Sequence, residues 1–144
     1  MSNLAECSTA PTPVTLSKEN PEHSDPLFSD PKLYRKLAGS LQYLSITRPD
    51  IVFATNRICQ HMHAPTDQNF KSLKRLLRYI KGTLHYGLPL TLSNLQLSTY
   101  TDADWASDNA DRKSISGFYT FLGDNQVSWE VKKQATVARS STEA

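Results

Sequence analysis

Apolar side chains show no period over the first 29 residues, where Pro11, Pro13, Pro21 and Pro26 stand among Ser, Thr, Glu and Asn. That pattern predicts a disordered or loosely attached leader over 1–29. At Asp30-Pro31 it changes, to an acidic N-cap followed by a proline suited to a first helical turn. Leu33, Leu37, Leu41 and Leu44 then recur at helical spacing and predict a helix over 31–45. Thr47-Arg48-Pro49-Asp50 restarts the chain, and Ile51, Ala54, Ile58 and Met62 line one face of a second helix reaching His63. Ala64-Pro65-Thr66 breaks the pattern again. Thr66 caps a third helix, over 66–82, that Gly82 is expected to close in a left-handed conformation.

The third helix carries two stripes. Phe70, Leu73, Leu77 and Ile80 form an apolar one, and Lys71, Lys74, Arg75, Arg78 and Lys81 a basic one with no acid in it. From Leu88 onward the period falls toward two, and runs of β-formers are separated by Gly, Asn and Asp. Leu95–Tyr100, Ser116–Leu122 and Gln126–Val131 are the expected strands, the last two joined by a tight Gly123-Asp124-Asn125 link into an antiparallel hairpin. Ser140 precedes Glu143 by three residues, the spacing of a capping box, and predicts the start of a further helix.

Charge sharpens this picture more than composition does. The net charge of +2 over 144 residues hides an acidic start, with Lys18 against Glu6, Glu19, Glu22, Asp25 and Asp30, and a strongly basic middle over 32–81. A basic middle followed by clustered acids points to a polyanion partner beside a metal-binding or solvated acidic surface. The basic stripe has two readings at this stage, a track for a nucleic-acid backbone or a solvated helix face. Lys132, Lys133 and Arg139 are further candidates for phosphate contact. Cys7 and Cys59 suggest neither a disulfide framework nor a metal cluster. No signal peptide and no membrane-spanning run is evident, so an intracellular chain without a membrane partner is expected. His61, Met62 and His63 lack zinc-ligand spacing, and Ser140 and Ser141 read as caps rather than nucleophiles.

Several ordered blocks carry a resemblance. They are Leu33-Tyr34-Arg35-Lys36-Leu37-Ala38-Gly39-Ser40-Leu41-Gln42-Tyr43-Leu44, Thr47-Arg48-Pro49-Asp50-Ile51, Leu76-Leu77-Arg78-Tyr79-Ile80-Lys81-Gly82-Thr83 and Tyr100-Thr101-Asp102-Ala103-Asp104-Trp105-Ala106. Ser114-Ile115-Ser116-Gly117-Phe118, Ser128-Trp129, Lys132-Lys133-Gln134 and Arg139-Ser140-Ser141-Thr142-Glu143-Ala144 follow in order. Together they closely resemble the Pol polyprotein of copia-type LTR retrotransposons, across the junction of reverse transcriptase and ribonuclease H. The resemblance implies an α+β chain: a helical reverse-transcriptase end over 30–86, then a truncated ribonuclease H-like domain over 87–144. The latter would hold three antiparallel strands and the start of the first helix.

The implied reaction is hydrolysis of the RNA strand of an RNA–DNA hybrid, with Mg²⁺ as cofactor and the rest of a Pol polyprotein as partner. Asp102 maps to the first metal ligand, and Asp104 shares its strand face. The family's second carboxylate, from Ser-Ser-Thr-Glu-Ala-Glu-Tyr, would follow Ala144. Glu143 lies roughly 200° around the helix from that direction. The expectation is therefore an incomplete site and no catalysis by this chain. Polymerisation is not expected either, since the Tyr-x-Asp-Asp that would hold its metals is absent from the sequence. Two alternatives stay open: a non-catalytic nucleic-acid binder using helix 66–82, and an active RNA–DNA hybrid ribonuclease whose gene model is truncated. Arg75-Leu76-Leu77-Arg78 also matches the Arg-x-Leu-Arg pattern of secreted oomycete effectors, although it falls mid-helix and follows no signal peptide.

Overall fold

The first helix begins where it does because the Asp30 carboxylate accepts the Leu33 amide at 2.9 Å and Pro31 has no N–H to leave unpaired. In the computed structural model, which describes residues 6–15, 25–106 and 111–143, this helix α1 runs Pro31–Leu44. A single 3₁₀ turn at Pro49–Ile51 leads into α2, Val52–Gln60. Helix α3, Asp67–Gly82, starts with a capping box in which Asn69 takes the place usual for Glu or Gln. Its Oδ1 accepts the Thr66 amide at 2.9 Å, while Thr66 Oγ1 accepts the Asn69 amide at 3.3 Å. The chain divides into two compact units, Met1–Gly87 and Leu88–Ala144.

In the first unit the buried faces are rotated from those expected. On α1 the buried residues are Tyr34, Ala38 and Leu41, and on α3 they are Leu73, Leu76 and Tyr79; Leu33, Leu37, Phe70, Leu77 and Ile80 are half-buried at the margins. The two tyrosines account for the shift. Each ring fills core volume, and each hydroxyl finds a partner that the linear pattern does not reveal. Tyr34 donates to the Ile58 carbonyl at 2.9 Å, and Tyr79 donates to Asp50 Oδ2 at 3.0 Å. Burial pushes the Tyr34 phenol up to about 12.

Arg48 ties the turn that leads into α2 to the end of α3 at one end of this core. It is 5% exposed. Its Nε and Nη2 grip Asp50 at 2.8 and 2.7 Å, while Nη1 and Nη2 donate to the Thr83 carbonyl and hydroxyl at 3.0 and 2.8 Å. The hydrogen bonds from Arg48 hold the Asp50 carboxyl below its usual range, against the opposing effect of burial.

Gly82 does not adopt a left-handed conformation. Among the described residues Gly123 is the glycine with a positive φ, and α3 ends with the Thr83 amide donating to Ile80 O at 3.0 Å. Close approach explains the glycine instead, because a Cβ at position 82 would lie 3.0 Å from Thr9 Cβ. The described parts of the expected loose leader likewise pack on the unit. Ala10 is 5% exposed and its amide donates to Arg78 O at 3.3 Å. Phe28 stacks on Phe70 at 4.0 Å, and Leu27 bridges to Thr66. The low apolar content of the leader is offset there by donors that α3 supplies.

The second unit is an antiparallel sheet in the order β1-β2-β3, with β1 at Leu97–Asp104, β2 at Ile115–Leu122 and β3 at Asn125–Lys133. Strand β1 starts two residues later than expected and reaches Asp104, which brings Asp102 inside the strand. Gly123, at φ +58°, turns β2 into β3, and a bulge at Thr120/Phe121 adjusts the register. The loop before β1 folds onto this turn. Asn125 brackets Thr91, its Oδ1 accepting the amide at 2.7 Å and its Nδ2 donating to the carbonyl at 2.9 Å. In place of the expected helix start, Ser140–Glu143 closes one hydrogen-bonded turn, Glu143 N to Ser140 O at 3.2 Å. One such bond fixes too few residues to constitute a helix.

Candidate nucleic-acid interface and acidic strand

Strand alternation places Tyr100, Asp102 and Asp104 on one face of the sheet. Across from them stand Tyr119, Gly117 and Ile115, and beyond these Trp129, Val131 and Lys133. Asp102 thus faces a residue without a side chain, which leaves its carboxylate uncovered. It is exposed, and its Oδ1 accepts the Ala103 amide at 2.9 Å. Asp104 is exposed as well. Around them the face is apolar and open: Tyr100 is 67% exposed and packs edge-on against Phe121 at 6.0 Å.

Whether Mg²⁺ suits this strand depends on the donor set. Among the described residues, no group of three or more His, Cys, Asp and Glu side chains gathers to hold a metal. Paired divalent ions roughly 4 Å apart need several converging carboxylates. Asp102 and Asp104 do not fit that arrangement. Glu143 is occupied elsewhere, its Oε2 accepting the Arg139 amide at 2.8 Å.

The candidate phosphate contacts fall into separate places. Lys132 and Lys133 occupy opposite faces of β3, and Lys133 pairs with Asp111 at 3.0 Å. Arg139 is exposed in the turn after the sheet. On α3, Lys71 is exposed and Lys74 lies over the Phe70 ring at 5.2 Å. The remaining cations of the stripe meet the N-terminal segment. Arg75 Nη2 donates to Thr12 Oγ1 at 2.8 Å, and Lys81 Nζ donates to Cys7 O at 2.9 Å. Arg78 donates through Nε to Ser8 O at 2.6 Å and through Nη2 to Ser8 Oγ at 2.7 Å. The stripe that looked unopposed in sequence is therefore partly covered by the chain's own oxygens.

No family model matches the chain, and no solved structure matches it. Among curated proteins it is 47% identical over 141 residues to an uncharacterised mitochondrial protein of Arabidopsis thaliana, covering 97% of this chain and 58% of that protein. It is 46% identical over 143 residues to the retrovirus-related Pol polyprotein from transposon RE2 of the same plant, covering 99% of this chain and 10% of the polyprotein. The chain belongs to the retrovirus-related Pol polyproteins of copia-type retrotransposons. The chain spans just over half of the first of those relatives and a tenth of the second.

The chain is also 43% identical over 112 residues to a secreted RxLR effector protein of Plasmopara viticola, covering 76% of this chain and 79% of that one. Here Arg75-Leu76-Leu77-Arg78 lies inside α3, with Leu76 fully buried and both arginines bound to the N-terminal segment. No helix among the described residues is long and apolar enough to cross a membrane. Sequence reasoning missed Ser8 and Thr12 as partners of the basic stripe. Gly82 was the available signal, being a glycine in a helical run with no turn of its own to make.

Proposed function

We propose that this chain spans the end of a reverse transcriptase, over 30–86, and the first part of a ribonuclease H-like domain, over 87–144, and does not itself catalyse hydrolysis. In the parent polyprotein its part in cutting the RNA strand of a hybrid is to supply Asp102 as one metal ligand. One observation carries this reading: Asp102 lies within a regular strand, open above Gly117, without a third carboxylate or histidine gathered beside it and Asp104 among the described residues. The test is a cleavage assay of the full chain on a labelled RNA–DNA hybrid with Mg²⁺ or Mn²⁺. No cleavage above buffer is expected. Cleavage that Asp102→Asn abolishes would overturn the reading.

A second reading, non-catalytic binding of nucleic acid through α3, is favoured by the row of exposed and half-exposed cations from Lys71 to Lys81. A filter-retention assay on the same hybrid at low and high salt separates it from a purely solvated face. Binding should weaken with salt and on reversing Lys71 and Lys74 to Glu. Salt-insensitive retention, or none, removes this reading.

A further inference from the structure

The N-terminal segment meets α3 in a way that resembles a ligand more than a packed strand. Residues 7–12 lie along the helix, and their oxygens fall on successive cations: Thr12 Oγ1 on Arg75, Ser8 O and Oγ on Arg78, Cys7 O on Lys81. Those side chains stand at i, i+3 and i+6, about 4.5 Å apart along the axis at each step. The segment seats itself without a broad apolar face. It buries Ala10, and it passes over Gly82 closely enough that a Cβ there would lie 3.0 Å from Thr9 Cβ and press it away.

The acceptors offered to the two arginines are neutral. Arg78 receives one carbonyl and one hydroxyl, and Arg75 receives one hydroxyl. Arg75 Nε is buried and has no hydrogen-bond partner among the described residues. A guanidinium bonds more strongly to an anionic oxygen than to a neutral one, and phosphate presents several such oxygens in a geometry that fits its fork. The segment thus holds the positions that phosphate oxygens would take while leaving Arg75 incompletely satisfied. One turn earlier on the helix, Lys71 is exposed and Lys74 half-exposed over Phe70, so a polyanion has a place to land before the segment lifts.

We propose that Arg75 and Arg78, continued by Lys71 and Lys74, form a binding row for a nucleic-acid backbone that residues 7–12 cover, so that strap and nucleic acid compete for the same guanidinium donors. The proposal rests on the second functional reading above and names the residues by which that binding is held in check. Lifting the strap lengthens the footprint by two arginines. In a duplex each added phosphate contact steepens the dependence of log affinity on log salt by about 0.9, so the slope should steepen by about 2.

The test compares the full-length parent chain with Gly82→Val, which expels Thr9 without changing charge, and Ser8→Asp, which gives Arg78 a carboxylate and fastens the strap. Affinity for a fluorescent RNA–DNA hybrid is read by anisotropy from 50 to 200 mM salt, and exchange of the Ala10 amide is followed with and without hybrid. Gly82→Val should bind about tenfold more tightly at low salt with the steeper slope. Ser8→Asp should bind more weakly than the parent. In the parent, hybrid should remove the protection of the Ala10 amide. Salt-dependent binding that is the same in all three proteins, with Ala10 protection unchanged, overturns the strap and leaves the nucleic-acid reading standing. Absence of salt-dependent binding in every variant overturns both.

Discussion

Replacing Arg48 by Met keeps most of the stem and removes four hydrogen bonds at once, two to Asp50 and two to Thr83. What remains is a carboxylate whose side chain is 30% exposed, the Tyr79 hydroxyl upon it, and a Thr83 carbonyl without its donor. Breaking a buried ion pair from one side costs about 3–5 kcal/mol, and the partial exposure of Asp50 places this case near 3 kcal/mol. With a urea dependence of about 1.5 kcal/mol per molar for a unit of this size, the midpoint should fall by about 2 M. Arg48→Lys keeps the charge and loses the fork, so it should fall by roughly half as much.

The two units can be read separately in this experiment. Among the described residues the α-helix lies before Leu88, and both tryptophans, Trp105 and Trp129, lie after it. Ellipticity at 222 nm therefore follows the helical unit and tryptophan fluorescence the sheet. The same pair predicts an acid limb. The folded Asp50 carboxyl is held below its ordinary value of 3.8, so its contribution is present above that value and is lost as pH falls through the depressed one. Arg48→Met should remove that limb. A midpoint within about 0.3 M of the parent, or a lysine as good as the arginine, would refute the claim that a bidentate buried pair ties the turn before α2 to the end of α3.

Other predictions follow from single contacts. Because burial raises the Tyr34 phenol from 10.0 to about 12, its contribution is intact below pH 10 and lost as pH rises toward 12. Tyr34→Phe should lose about 1 kcal/mol at neutral pH with its bond to Ile58, yet show a shallower alkaline decline in ellipticity. Gly123→Ala forces a side chain into a left-handed residue and against Ser93 Oγ and Asn94 O, so the fluorescence midpoint should drop by more than the roughly 1–2 kcal/mol of the backbone penalty alone. The sheet leaves Leu97 66%, Tyr100 67% and Val127 49% exposed, so its fluorescence transition should precede the helical one in urea; coincident or reversed transitions would contradict this. Asp102→Asn, on an exposed carboxylate bonded among the described residues to its neighbouring amide, should shift that midpoint by no more than about 0.5 kcal/mol.

Local chemistry made much of this protein readable in the linear chain. Asp30-Pro31 and Thr66 start their helices through neighbours alone, since capping and a missing N–H act over three or four residues. The fall from helical period to alternation marked the sheet, Gly123 marked its turn, and the ordered blocks around Asp102 marked the family. Tertiary structure decided which side of each helix is buried, because Tyr34 and Tyr79 enter the core only when Ile58 and Asp50 arrive to bond their hydroxyls. It also decided the fate of the basic stripe. Charge is written in the sequence, but whether Arg75 and Arg78 face solvent depends on Ser8 and Thr12, more than sixty residues away. The partner of a buried or covered polar group is set by folding, and no period along the chain encodes it.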